Sequence, residues 1–252
     1  MSEALARQKE EDKMDGTTPP QWEACATLLN KSKTIHFVRH AQATHNEAKE
    51  IVGRAAYLDP AFHDARLTEF GKEQCLRLKE EQAKVAGPDI QLVLVSPCTR
   101  ATETALLAFQ EHISSDVPWL ALECLREKTG HNPCDSRRSV SELKQDFEHR
   151  IDYSFMKDDE DVYGKMMGEN RETAEMIKER AYEFFSFLQS RPETNILVVT
   201  HSAFLFVLMD QVVRCNSDVS RWFENCEMRT TQFALVEPVI VSPTPHDDQE
   251  GS

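Results

Sequence analysis

The chain has 252 residues, 40% of them hydrophobic, which suits one core of roughly 200 residues with polar ends and not two domains. A net charge of −14 and a pI near 5.1 disfavour a nucleic-acid or anionic-membrane surface, so an anionic ligand would need a local concentration of Arg and His. Seven scattered cysteines without a C-x-x-C, and no apolar run near ~18 residues, point to a reduced, cytoplasmic chain without a membrane span.

Residues 1–31 are charged and aperiodic and read as a polar extension. Residues 35–38 form a short apolar run, predicted as a buried strand, that ends on Arg39-His40 with His45 and Asn46 close behind. His36, inside that run, is expected to satisfy a hydrogen bond in the core. Thr68 can cap a helix through the eighties, with Cys75, Leu78 and Val85 on one face. Residues 90–95 read as a second buried strand, followed by Ser96-Pro97-Cys98-Thr99-Arg100 and a helix over about 100–109. The run "VPWLAL" then leads into "ECLREKTG".

Residues 128–168 are polar and poorly periodic, and read as an insertion over the sheet edge with short helices that carries specificity. A helix over about 172–189 places Ile177, Ala181, Phe184 and Leu188 on one stripe. The third strand, 196–199, runs straight into Thr200-His201, and another helix follows Ser202. Residues 242–252 read as a disordered tail, leaving 32–241 as the folded domain. Strands alternating with helices predict an α/β fold: a three-layer α/β/α sandwich with a mainly parallel central sheet.

Each predicted strand ends in a cationic or proton-transferring residue. Ligands of open α/β sheets bind beyond the carboxyl ends of the strands, so Arg39, His40, Arg100 and His201 are expected to converge on one anion. A phosphoryl group fits this set. Two planar guanidinium forks would hold its equatorial oxygens. One histidine, neutral on its attacking nitrogen, would accept the group covalently, and the other, preferably protonated, would stabilise charge. The leaving oxygen needs a proton, for which Glu127 is the candidate after its apolar run, with Glu123 and Glu142 as competitors. No metal or cofactor is expected. H-E-x-x-H is absent, His131 with Cys124 and Cys134 fits no common zinc spacing, and no dinucleotide or P-loop glycine pattern occurs.

Taken together, "VRHAQATHN", "SPCTRATETA", "LRE" and "VVTHS" resemble, in order and spacing, the four motifs of the histidine phosphatase superfamily, the branch containing phosphoglycerate mutases and related phosphatases. The stretch "LREKTGHNPCDSRRSVSE" resembles plant and fungal phosphoglycerate mutase-like proteins. The resemblance implies that His40 is the phosphorylated nucleophile, that Arg39, Arg100 and His201 complete the phosphate pocket, that Asn46 lines it, and that Glu127 is the proton donor. Three departures bear on turnover. Ala41 stands where the family usually has Gly, which is tolerable if the backbone needs no positive φ. Ala43 replaces a usual Ser or Thr. Lys128-Thr129-Gly130 replaces the Arg-His-Tyr-Gly of glycolytic mutases, with Arg137 and Arg138 as the remaining candidates to grip a carboxylate.

Three functions follow: a metal-independent phosphomonoester phosphatase, which the third departure favours over a mutase; phosphoglycerate mutase-type transfer; and a catalytically weak phospholigand-binding protein, with which the Ala41 and Ala43 changes are compatible. The expected partner is a phosphorylated small molecule, with neither nucleic acid nor membrane.

Overall fold

The two apolar faces of the predicted strands can be buried only between two layers of helices, and the chain does this. The computed structural model describes residues 32–84, 89–213 and 220–234. The expectations for 1–31, Val85 and 242–252 lie outside these residues.

The strands are β1 (Ser32–Arg39), β2 (Leu92–Val95), β3 (Trp119–Ala121), β4 (Asn195–Thr200) and β5 (Met228–Ala234), in one sheet of order β3-β2-β4-β1-β5. All pairings are parallel except β1 with β5. The helices are α1 (Thr44–Val52), α2 (Glu69–Lys84), α3 (Thr99–Phe109), α4 (Val140–Phe147), α5 (Val162–Met167), α6 (Ala174–Ser190) and α7 (Ser202–Val207).

Successive strand residues point to opposite faces. Val93, Val95, Leu197 and Val199 therefore pack on one side with Ala101, Ala105 and Phe109 of α3, Cys75 and Leu78 of α2, and Leu143 and Phe147 of α4. Leu92, Leu94, Ile196 and Val198 pack on the other with Ile177, Ala181, Phe184 and Leu188 of α6 and Phe204 of α7. Phe184 meets Phe37 and Phe204 edge-on at 6.2 Å in both cases. The predicted α/β/α sandwich is thus the observed one. Among the described residues, no helix is long and apolar enough to cross a membrane.

Three elements escaped the sequence reading. Strand β5 alternates Thr, Arg and Gln with few apolar residues, because it is an edge strand. Its Thr230 hydroxyl meets His36 Nδ1 at 2.8 Å, and Asn195 Oδ1 meets Nε2 at the same distance, which satisfies His36 as expected. Strand β3 has only three residues, too few for a period to show. Helix α1 has Ala43 at its N-cap, which lacks a capping side chain. Asn46 supplies the acceptor instead, its Oδ1 taking the Ala43 N–H at 3.0 Å.

Residues 128–168 cover the β3 edge of the sheet, as expected: Ala121 N–H donates to Asp152 O, and Asp152 N–H to Trp119 O. Ser139 and Glu142 cap α4 reciprocally, so Glu142 is a helix-capping residue and not a proton donor to the site. The loop after β1 rests on α2 through Gly71, where an added Cβ would lie 2.1 Å from Gln42 O. We expect Gly71→Ala to force α2 off this loop and destabilise the fold by ~1–3 kcal/mol, read as a lowered urea midpoint; an unchanged midpoint would show that the contact has slack.

Candidate active site

Strand register builds the site. Arg39 of β1 pairs with Thr200 of β4, and Val199 of β4 with Val95 of β2. The first residues beyond the strands, His40, His201 and Ser96, therefore emerge side by side. Adjacent strands lie ~4.8 Å apart, and the rings of His40 and His201 have centroids 5.0 Å apart. Arg100 enters from the first turn of α3. That helix lacks a side-chain cap at Cys98, and the Asp64 carboxylate serves instead, accepting from Thr99 N–H at 2.8 Å and from its hydroxyl. Asp64 thereby fixes where α3 starts and so where Arg100 points.

Arg100 is fully buried. Its Nε donates to His40 Nε2 at 3.3 Å and its Nη1 to Cys134 O at 2.6 Å. His40 Nδ1 lies 2.7 Å from Ala41 O, and a carbonyl can only accept. The proton therefore sits on Nδ1, and Nε2 keeps a lone pair directed at the guanidinium. Burial, then the charges of Arg100 and Arg39, drive the His40 pKa well below its ordinary value. The ring is neutral at physiological pH, as a nucleophile must be. Ala41 is absent from the positive-φ residues of the described chain, so its methyl group is accommodated without backbone strain.

His201 is fully buried with Nε2 2.7 Å from Ser96 Oγ, and burial with the Arg100 charge also pushes its pKa far down. Burial and the Arg100 charge thus favour the neutral His201 ring, where the sequence reading preferred a protonated one beside a phosphoryl group. His45 is buried beside His40, at 6.1 Å between centroids, and burial plus Arg100 and Arg39 lower its pKa to about 2. Asn46 holds it, donating Nδ2–H to His45 Nε2 at 3.0 Å. Arg39 Nε, His45 Nδ1 and His201 Nδ1 are buried without hydrogen-bond partners. Buried polar atoms are rarely left so, and an oxyanion would engage them.

A cleft of about 580 Å³ opens over this group, lined by Arg39, His40, Asn46, Arg100 and Glu127 among others. Glu127 takes hydrogen bonds from the N–H groups of Lys128 (2.8 Å) and Ala203 (3.2 Å). Its competitor Glu123 is occupied with Arg126 at 2.8 Å and Arg137 at 3.1 Å. Beneath Glu127, Arg126 turns inward and grips Asp161 with both forks at 2.7 Å. Arg180 binds Glu172 the same way and donates to the carbonyls of Cys124 and Arg126. The candidate acid is therefore held by buried charge pairs on both sides.

Arg137 and Arg138 are corrected. Arg137 is buried against Glu123 and the carbonyls of residues 158–160, and Arg138 pairs with Asp64 and Asp146, so neither reaches the cleft. Residues the sequence reading passed over take those places: Arg171, Asp135, Tyr57, Lys49 and Arg54 line the cleft. Arg171 is brought in where residues 128–132 run against 170–172. Gly130, at φ +141°, allows this approach, since a Cβ there would sit 2.4 Å from Asn170 O. Among the described residues, no group of three His, Cys, Asp or Glu side chains is placed to hold a metal ion.

The three buried neutral histidines of the site make stability pH-dependent. Their folded pKa values lie below the unfolded ~6.5, so the unfolded chain binds more protons as pH falls below that value. We expect the melting temperature in anion-free buffer to fall steadily from pH 7 to 5. His45→Gln should reduce the slope by close to one proton, and an unaltered slope would mean that His45 is not held neutral.

The sequence profile of the histidine phosphatase superfamily (branch 1) matches residues 35–242. A phosphoglycerate mutase-like protein of Arabidopsis thaliana is 35% identical over 80% of this chain and 84% of its own length. A probable phosphatase of Schizosaccharomyces pombe is 30% identical over 67% of this chain and 74% of its own. Among solved structures, phosphoglycerate mutase from Bacillus anthracis superposes with a TM-score of 0.54 at 16% identity, covering 81% of this chain and 88% of that one.

Proposed function

From the premise that the chain belongs to the histidine phosphatase superfamily, we propose that it is a metal-independent phosphomonoester phosphatase working through phosphorylated His40. The observation that carries the reading is the His40 ring: proton on Nδ1, lone pair on Nε2, and a buried guanidinium at 3.3 Å from that lone pair. Nε2 attacks phosphorus while the bond to the leaving oxygen breaks. Glu127, in its acid form, gives that oxygen a proton. Water then attacks the phosphohistidine, Glu127 takes the proton back, and inorganic phosphate leaves a neutral His40.

Arg39 and Arg100 hold the equatorial oxygens, and His201 donates one N–H to them. A dianion at that spot also favours protonation of the ring. The charge stabilisation that a metal supplies in other phosphoryl-transfer sites comes here from guanidinium groups, so chelators are expected to leave the rate unchanged. Asn46 acts at one remove, through His45. The substrate is proposed to be a phosphorylated small molecule of the cytoplasm.

A second reading, mutase-type transfer, draws on the mouth of the cleft. Lys49, Arg54 and Lys128 line it without a carboxylate partner among the described residues, and would suit a second anionic group on the substrate. Isomerised product appearing faster than free phosphate would select this reading. A third, phospholigand binding with little turnover, would show as tight phosphate binding without hydrolysis of aryl phosphates.

Mixing the protein with a labelled phosphoester should leave acid-labile, alkali-stable phosphate on it, and His40→Ala should abolish both label and hydrolysis. Undiminished labelling of the variant would refute the assignment. Glu127→Gln should slow hydrolysis of alkyl phosphates by ~10²–10⁴-fold while sparing p-nitrophenyl phosphate, whose leaving group needs no proton. Equal losses on both substrates would remove Glu127 from the acid role.

A further inference from the structure

Of the four carboxylates that line the cleft, Asp135 is the one bound to Arg100. Asp135 ends the 3₁₀ turn Pro133–Asp135, is 5% exposed, and lines the cleft with His40 and Glu127. Its Oδ1 lies 3.4 Å from Arg100 Nη2, and its Oδ2 accepts from Arg171 Nη2 at 2.7 Å and Asn132 Nδ2 at 3.1 Å. The Nη1 of Arg100 is taken by a carbonyl, while Nε points at the nucleophilic nitrogen. A phosphoryl group at His40 Nε2 would therefore be met by the Nε and Nη2 edge. Asp135 already stands at one end of that edge.

Two anions cannot share these donors without repulsion. We propose that Asp135 is a proton-coupled positioning residue for anion capture: ionised, it orients the guanidinium groups of Arg100 and Arg171, and it takes up a proton from solvent when a dianionic phosphoryl group enters. The proton returns to solvent when phosphate leaves. This proposal rests on the phosphoryl site proposed above.

The surroundings suit such a coupling. Glu127 and Lys128 face the group from the loop after β3, Arg171 from the segment before α6, Arg100 from α3, and Tyr57 and Arg54 from the 3₁₀ helix Gly53–Leu58. Cys134 precedes it, and the turn Pro60–Phe62 packs nearby without a titratable group. Burial and the Glu127 charge raise the Asp135 pKa to about 6, against the opposing pull of Arg100 and Arg171. A further anion in the cleft acts in the same direction as Glu127. The carboxylate that holds the forks is therefore poised to be neutralised when they are claimed.

The test is sulfate, a tetrahedral dianion whose charge is constant from pH 5 to 8.5, titrated into the full chain by calorimetry. Wild-type affinity should fall as pH rises through the Asp135 transition. Asp135→Asn should match wild type near pH 5 and bind about tenfold tighter at pH 7.5, since each unit of pKa shift is a factor of ten in binding. Contributions from His40, His45 and His201 are common to both proteins and cancel in the difference. Weaker binding by the variant at every pH, with an unchanged slope, would reduce Asp135 to a structural role and overturn the proposal.

Should the variant not fold, Arg171→Gln serves. Removing one cation from the carboxylate should move the break in sulfate affinity to higher pH, and an unmoved break overturns the proposal. Failure of wild type to bind sulfate would reject the anion cradle itself, which the His40 labelling experiment reads independently.

Discussion

The parallel pairing of β1 with β4 is the constraint on which the site depends. In a parallel pair the strands run in the same direction, so both deliver their last residue to the same edge of the sheet. Register does the rest: Arg39 opposite Thr200 puts the two histidines beyond them at one ring's separation. A slip of one residue would turn one of the two to the opposite face, and the apolar alternation of Ile196–Val199 against two different helical layers resists that slip.

Around this pair the fold sets an electrostatic balance. Burial, reinforced by the charge of the buried Arg100, keeps the rings of His40, His45 and His201 neutral. Neutral rings beside a buried cation repel nothing and leave net positive potential for an incoming anion. This occurs in a chain whose formal charge is −14, so the attraction is local and short in range.

The insertion over the β3 edge works as scaffold. Its Arg137 and Arg138 pair with Glu123 and Asp64, and its Asp161 pairs with Arg126, the residue before Glu127. Removing one member of a buried pair strands the other's charge, at a cost of ~3–5 kcal/mol, and each such pair ties residues 128–168 to the loop bearing Glu127 or to the start of α3. The segment just beyond it then presents Arg171 to the cleft. The 128–168 segment, the loop bearing Glu127 and the start of α3 are in this way mechanically joined.

Sandwich architecture and the gathering of Arg39, His40, Arg100 and His201 were legible in the sequence because both depend on short-range pattern. Buried parallel strands read as unbroken apolar runs, helices α2, α3 and α6 carry their stripes, and Arg39, His40, Arg100 and His201 stand immediately at element boundaries. Strands β3 and β5 and helix α1 were not legible: three residues show no period, an edge strand carries polar side chains, and Ala43 offers no cap. The engagement of Glu123 and Glu142 by other partners, the inward turn of Arg137 and Arg138, and the arrival of Arg171 and Asp135 beside Arg100 were decided by tertiary structure alone. Side chains distant in the chain exclude one another from a partner or share it only once the backbone has brought them together. A carboxylate's role is set by which cation reaches it first, and local sequence does not encode that distance.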